Sequence, residues 1–221
     1  LTIISTVTIS HIGISVSNST RKLPIYSVST EEKKIAITFD AAWSAEDTDE
    51  LIRILKKHNA KATIFALGDW VDKNPDAVKM FHKSGHEIAN HGYFHKDHKK
   101  LDQKGNVDEI SNNHKIVYSL TGYKMKLFAP PSGSFNKTTL ECAKSLGYYT
   151  VMWTKDTIDW RDDTVSLIID RATKNITSGD IVLMHPKSHT LKALPEILKN
   201  IEKSNLKTLT VSECVGLNVE V

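Results

Sequence analysis

From Lys34 onward, short apolar runs alternate with longer stretches in which apolar and charged positions recur at helical spacing. Lys34-Ile35-Ala36-Ile37-Thr38-Phe39 is a run apolar on both faces, as a strand buried on both sides requires, and it ends at Asp40. Asp49 to His58 places Leu51, Ile52, Ile54 and Leu55 between charges and predicts an amphipathic helix. Ala62 to Leu67 predicts the next strand. Pro75 to Lys83 predicts a helix, with Pro75 in its first turn and Gly85 beyond its end. Glu87-Ile88-Ala89 is a short strand, Asp108 to Thr121 a helix, and Lys126 to Phe128 a strand broken off by Pro130-Pro131. A helix over Lys137 to Leu146 stops at Gly147, a strand follows over Tyr148 to Trp153, and Val165 to Asn175 is helical. Asp180 to Met184 is a strand ending at His185. Leu191 to Ser204 is a helix, Lys207 to Leu209 a last strand and Val211 to Val215 a short helix.

Strands that alternate with helices in this way should be largely parallel. Polar and aromatic residues gather just after the strands: Asp40, Trp43, His91, His95, Pro130, Asp156, Asp159 and His185. In a barrel of parallel strands the carboxyl ends share one face, so these distant positions are expected to meet there.

Composition adds limits. A chain of 221 residues suffices for one domain with a substantial core. The net charge of +3 is small and dispersed, and no Lys/Arg block points to nucleic acid. Residues 1–17 carry no acid, Lys or Arg apart from the weakly basic His11, and read as the remnant of a signal or membrane anchor, too short and hydroxylated for a full span. An edge strand pair is the alternative. Residues 18–32 read as a polar linker, 33–216 as the domain and 217–221 as a tail. Cys142 and Cys214, both in helical contexts, read as buried thiols, with a disulfide between them unsupported by any motif.

The stretch Asn90-His91-Gly92-Tyr93-Phe94-His95 carries the sharpest chemistry. Histidines four apart lie on one side of a helical turn and can converge on a zinc-like ion, although ten histidines in the chain produce such pairs by chance. Other residues decide between these readings. Thr38-Phe39-Asp40, His91-x-x-x-His95, Pro130-Pro131-x-Gly133, Asp156-x-x-Asp159-Trp160 and Leu183-Met184-His185 occur in this order. Over Glu32 to Gly216 the series resembles the polysaccharide deacetylases, the carbohydrate esterase family 4 enzymes with the NodB homology domain. The resemblance implies an α/β fold, a distorted (β/α) barrel of the NodB homology type, and metal-dependent removal of N-acetyl groups from amino sugars. It implies a divalent metal, zinc with cobalt or manganese as alternatives, on His91 and His95; the third ligand is then Asp40 turned toward it, or water completes the shell, or the affinity is weak. It implies Asp40 as general base and His185 as general acid, with Asp159 orienting the imidazole. Trp43, Pro131, Trp160 and Leu183 are the candidates for lining a sugar groove, and in sequence they are indistinguishable from core residues.

Three positions depart from the family pattern. Ala41 stands where a second Asp usually ligates the metal, Ala129 where an Arg usually pairs with the base, and Ser132 where an aromatic is common. The Asp-Ala-Ala-Trp form resembles the sporulation and muramic-lactam deacetylases. The expectation is therefore a monomeric enzyme acting on peptidoglycan or a related polysaccharide, outside the cell or anchored at the cell-wall side. The alternative is a degenerate relative that binds wall glycan without turnover.

Overall fold

The computed structural model describes residues 23–217. Among the described residues there are eight strands: β1 (Lys34–Ala41), β2 (Thr63–Ala66), β3 (Glu87–Asn90), β4 (Leu127–Phe128), β5 (Tyr149–Thr150), β6 (Lys155–Asp156), β7 (Ile181–Met184) and β8 (Lys207–Leu209). They form one curled sheet in the order β5-β4-β3-β2-β1-β7-β6, with β8 pairing the first residues of β1. Every pairing is parallel. This is the distorted (β/α) barrel expected.

The alternation along β1 shows why the run is apolar throughout. Ile35, Ile37 and Phe39 belong to the large core cluster that includes helix residues, whereas Ala36 belongs to an inner cluster with Phe65, Ala89, Leu127, Val151 and Ile181. Asp40 has the parity of Ala36, so it faces inward at the carboxyl end of β1. The helices are α1 (Thr48–Lys57), α2 (Gly68–Lys73), α3 (Pro75–Lys83), α4 (Gln103–Thr121), α5 (Lys137–Ser145), α6 (Val165–Thr173), α7 (Ser188–Lys203) and α8 (Val211–Val215). In α8, Val211 and Cys214 join the inner cluster and stop its amino-terminal end. Cys142 and Cys214 are both free and buried.

The expected linker needs correction. At Ile25 and Val28 it is built into the domain: Ile25 is buried, its N–H donates to the Thr150 carbonyl (2.8 Å), and its carbonyl accepts from Met152 N–H (2.8 Å). Val28 N–H then donates to the Gly179 carbonyl at 2.9 Å, tying the β5 edge to the start of β7. Gly179 has φ +85°, and a Cβ there would lie 1.9 Å from the Val28 carbonyl oxygen, so only glycine fits. The expected anchor remnant, residues 1–17, lies outside the described residues, as do 218–221 of the tail. No helix among the described residues is long and apolar enough to cross a membrane.

Candidate active site

Asp40 is 6% exposed. Its Oδ2 lies 3.4 Å from His91 Nε2, and its buried Oδ1 has no hydrogen-bond partner among the described residues. Burial raises its pKa to about 7, against the opposing pull of His185 and His95. The carboxyl therefore titrates near neutrality, the range that suits a general base.

His91 follows directly on β3. Its Nδ1 is 2.9 Å from the Ala129 carbonyl, which can only accept, so Nδ1 carries the proton and Nε2 presents its lone pair toward Asp40. Burial, followed by the neighbouring His95, lowers its pKa to about 3, so the ring is a neutral donor. Position 129 thus lacks the family's Arg but orients His91 through its backbone. The segment from His91 to His95 is not the helical turn expected. Gly92 (φ +74°) and His95 (φ +55°) are both left-handed, and the chain between them loops outward. The two rings still come together, with centroids 5.4 Å apart, His91 buried and His95 exposed.

His185 follows β7, where Nδ1–H donates to Asp159 Oδ1 at 2.6 Å. Asp159 is 1% exposed and accepts two further bonds at Oδ2, from His185 N–H (2.8 Å) and Thr190 Oγ (2.6 Å). Burial alone would raise the Asp159 pKa, but these bonds and the His185 charge hold it below the usual carboxylate range. Burial likewise disfavours charge on His185, yet the Asp159 bond and the charges of Asp40 and Asp159 outweigh it and raise its pKa. The proton on Nδ1 is committed to Asp159, which leaves Nε2 to exchange protons in the site. Sequence reasoning missed Thr190, whose side chain reaches Asp159 because α7 begins at Ser188, before the predicted Leu191.

The four groove candidates separate. Trp43 and Trp160 are 52% and 50% exposed. The Trp43 ring lies 5.1 Å from that of His185. Lys187 Nζ sits 4.9 Å over Trp43 and donates to the Trp160 carbonyl at 3.1 Å. Pro131 and Leu183 are buried instead. Pro131 approaches Gly92, and Leu183 pairs in register with Thr38, two residues before Asp40. Asp156 forms a turn, its Oδ1 accepting from Ile158 N–H at 2.8 Å.

The donor types fit a divalent ion of the zinc class: a neutral imidazole nitrogen, a second imidazole and a carboxylate with a free buried oxygen. The expected three-ligand set is not gathered into a closed cluster, however, and among the described residues no three His, Cys, Asp or Glu side chains are. His95 stands on an exposed loop, and Ala41, fully buried in the core, offers no donor where the family's second Asp would stand.

Comparison with known proteins gives a consistent picture. The sequence model of the polysaccharide deacetylase family matches residues 27–151, a span that holds Asp40, His91 and His95 and ends before Asp159 and His185. YlxY of Bacillus subtilis (strain 168), described as uncharacterized, is 36% identical over 190 residues, 86% of this chain and 60% of YlxY. A peptidoglycan-N-acetylglucosamine deacetylase of Bacillus cereus is 36% identical over 194 residues, 85% of this chain and 91% of that protein. Among solved structures, BA3943 of Bacillus anthracis, a CE4 family pseudoenzyme, superposes with a TM-score of 0.86 at 33% identity, covering 90% of this chain and 70% of that one. One mutant of BA3943 is described as having restored enzymatic activity.

Proposed function

Because the chain belongs to the polysaccharide deacetylase family, we propose that it is a divalent-metal-dependent hydrolase that removes N-acetyl groups from amino sugars of peptidoglycan or a related polysaccharide. The observation that carries this reading is the pairing of two buried groups at one rim. Asp40 has its pKa raised to about 7. His185 has its pKa raised and is held by Asp159. Each feels the other's charge.

An amide is a poor electrophile with a poor leaving group, so hydrolysis needs a base for the water and an acid for the departing amine. Asp40 takes a proton from water as the water oxygen bonds the carbonyl carbon. His185 Nε2 then delivers its proton to the sugar nitrogen as the C–N bond breaks, and acetate leaves. Asp159 keeps Nδ1 protonated and the ring aimed throughout. A zinc, cobalt or manganese ion would be held by His91, His95 and Asp40, and when bound supplies Lewis acidity toward the amide carbonyl and the attacking water. Trp43 and Trp160 offer exposed aromatic faces for pyranose C–H surfaces. A peptidoglycan substrate implies action on the cell-wall side of the membrane.

A second reading, a glycan-binding domain without turnover, is favoured by one specific observation. Ala41 and Ala129 supply neither a ligand nor a cation to Asp40, whose Oδ1 is left without a partner. The pseudoenzyme BA3943 is a relative of similar fold. An acetate-release assay on peptidoglycan and N-acetylglucosamine oligomers separates the two. With zinc, cobalt or manganese added, the enzyme reading expects acetate that chelator abolishes. Retention of glycan without acetate under every metal, unchanged in His185→Ala, establishes the binding reading instead.

A further inference from the structure

The loop between His91 and His95 is held by a residue that no motif contains. Glu109, on α4, is 3% exposed. Its Oε2 accepts from two consecutive backbone N–H groups, Tyr93 and Phe94, both at 2.8 Å. Its Oε1 pairs with Lys96 Nζ at 3.1 Å, so contacts on both sides of His95 meet one carboxylate. The start of the loop is fixed by other means. The Gly92 carbonyl accepts from Gly68 N–H (2.9 Å) and Asn113 Nδ2 (2.7 Å), and the Tyr93 carbonyl from Asp69 N–H (2.9 Å). Past Tyr93, the Phe94 N–H that leads to His95 is bound by Glu109.

His98 forms the wall behind this loop. Asn106 spends its amide protons on backbone carbonyls, so its Oδ1 accepts from His98 Nδ1 at 2.8 Å, and His98 Nε2 is left buried without a partner among the described residues. A Cβ on Gly92 would lie 2.9 Å from that nitrogen and 3.4 Å from Glu109 Oε2. Glycine at 92 therefore serves its positive φ and the approach of the loop to Glu109 together.

We infer that Glu109 is the positioning residue of the histidine pair: by binding the amides of Tyr93 and Phe94 and the ammonium of Lys96, it sets the exposed His95 ring against His91. The importance of that placement rests on the deacetylase reading, but the placement itself does not require a metal. Nuclear Overhauser contact between the His91 and His95 ring protons in the metal-free full chain is the direct readout. The contact should be present in the wild type, lost in Glu109→Ala, and kept in Glu109→Gln, which retains an oxygen acceptor. Glu87→Gln, a change to a buried carboxyl at the other end of the sheet, should leave it intact. On the same samples zinc alone should bind Glu109→Ala weaker by about 10- to 100-fold and Glu109→Gln nearly as in the wild type.

A folded Glu109→Ala that keeps the ring contact and wild-type zinc affinity overturns the inference. Should Glu109→Ala fail to fold, amide exchange in Glu109→Gln decides: slow exchange at Tyr93 and Phe94 supports the role, and fast exchange with the ring contact intact overturns it. A wild type that binds no zinc, with a ring contact that still depends on Glu109, overturns the metal reading and leaves the positioning role standing.

Discussion

Glu87 and Asp40 are carboxyl groups of nearly equal burial, 7% and 6% exposed, at opposite ends of the same parallel sheet. Burial raises the pKa of both. Their partners differ. Glu87, at the start of β3, uses both oxygens: Oε2 accepts from Thr63 Oγ (2.7 Å) and Ser212 N–H (3.2 Å), and Oε1 from Ser212 Oγ. It fastens α8 under the barrel, and Val211 N–H completes the joint by donating to Thr63 Oγ at 2.8 Å. Asp40, near the end of β1, has one oxygen 3.4 Å from a histidine and the other bare. A buried carboxyl bonded at both oxygens holds a fold together, whereas one with an oxygen left free has that oxygen available for chemistry. Chemistry is therefore assigned to the carboxyl rim and architecture to the amino rim.

The largest effect should come at the carboxyl rim. His185→Ala removes the proposed acid and is expected to slow acetate release by about 10²- to 10⁴-fold, a loss far beyond the moderate destabilisation expected from leaving Asp159 Oδ1 without its partner. At the opposite rim the pattern inverts. Glu87→Ala leaves the Thr63 and Ser212 groups without their acceptor and is expected to cost about 1–3 kcal/mol for each group stranded, read by denaturant unfolding. An equal loss of activity without loss of stability there would break the distinction between the rims.

Asp159→Asn sharpens the comparison within the carboxyl rim. The Asp159 bond and charge raise the His185 pKa, so the substitution should lower it. The alkaline limb of the kcat/KM profile should then move to lower pH, and an unmoved limb would deny Asp159 its role. At the amino rim one buried histidine adds its own pH effect on stability. His86, 5% exposed with Nδ1 unpartnered, has its pKa lowered from 6.5 to about 4, by burial first and then by Lys61. Between those values the unfolded chain binds the proton more readily than the folded one, so stability rises with pH across the window. This contribution is fully present above 6.5 and is lost as the pH falls toward 4. His86→Leu should flatten that slope in unfolding measurements, and an unchanged slope would refute the assignment. Smallest of all, Trp43→Ala is expected to raise KM several-fold with kcat held, since it removes an exposed face and leaves the acid and base in place.

Much of this was legible in the sequence where the signal is local. The inward parity of Asp40 follows from the period of β1, and the positions of His91 and His185 follow from strand ends. Local signals also set the limits. The helix expected from Asp108 begins at Gln103, because Asp102 accepts from Gly105 N–H at 2.7 Å and caps it, which the polar residues after it obscured. Six-residue α2 is too short to show a helical period. The supposed linker at Ile25 and Val28 becomes structural only through Val151 and Gly179, which are remote in sequence. The histidine pair is legible through a helical spacing that the backbone does not adopt. What brings the rings together is Gly92, a left-handed His95 and a carboxylate fourteen residues further on, and none of these follows from the period.

The most direct measurement is acetate release from peptidoglycan by metal-supplied Asp40→Asn beside the wild type. Asn preserves the shape but cannot take a proton. The account predicts acetate from the wild type and only background from Asp40→Asn, with the variant as stable as the parent or more so. Comparable release from the two proteins would contradict it.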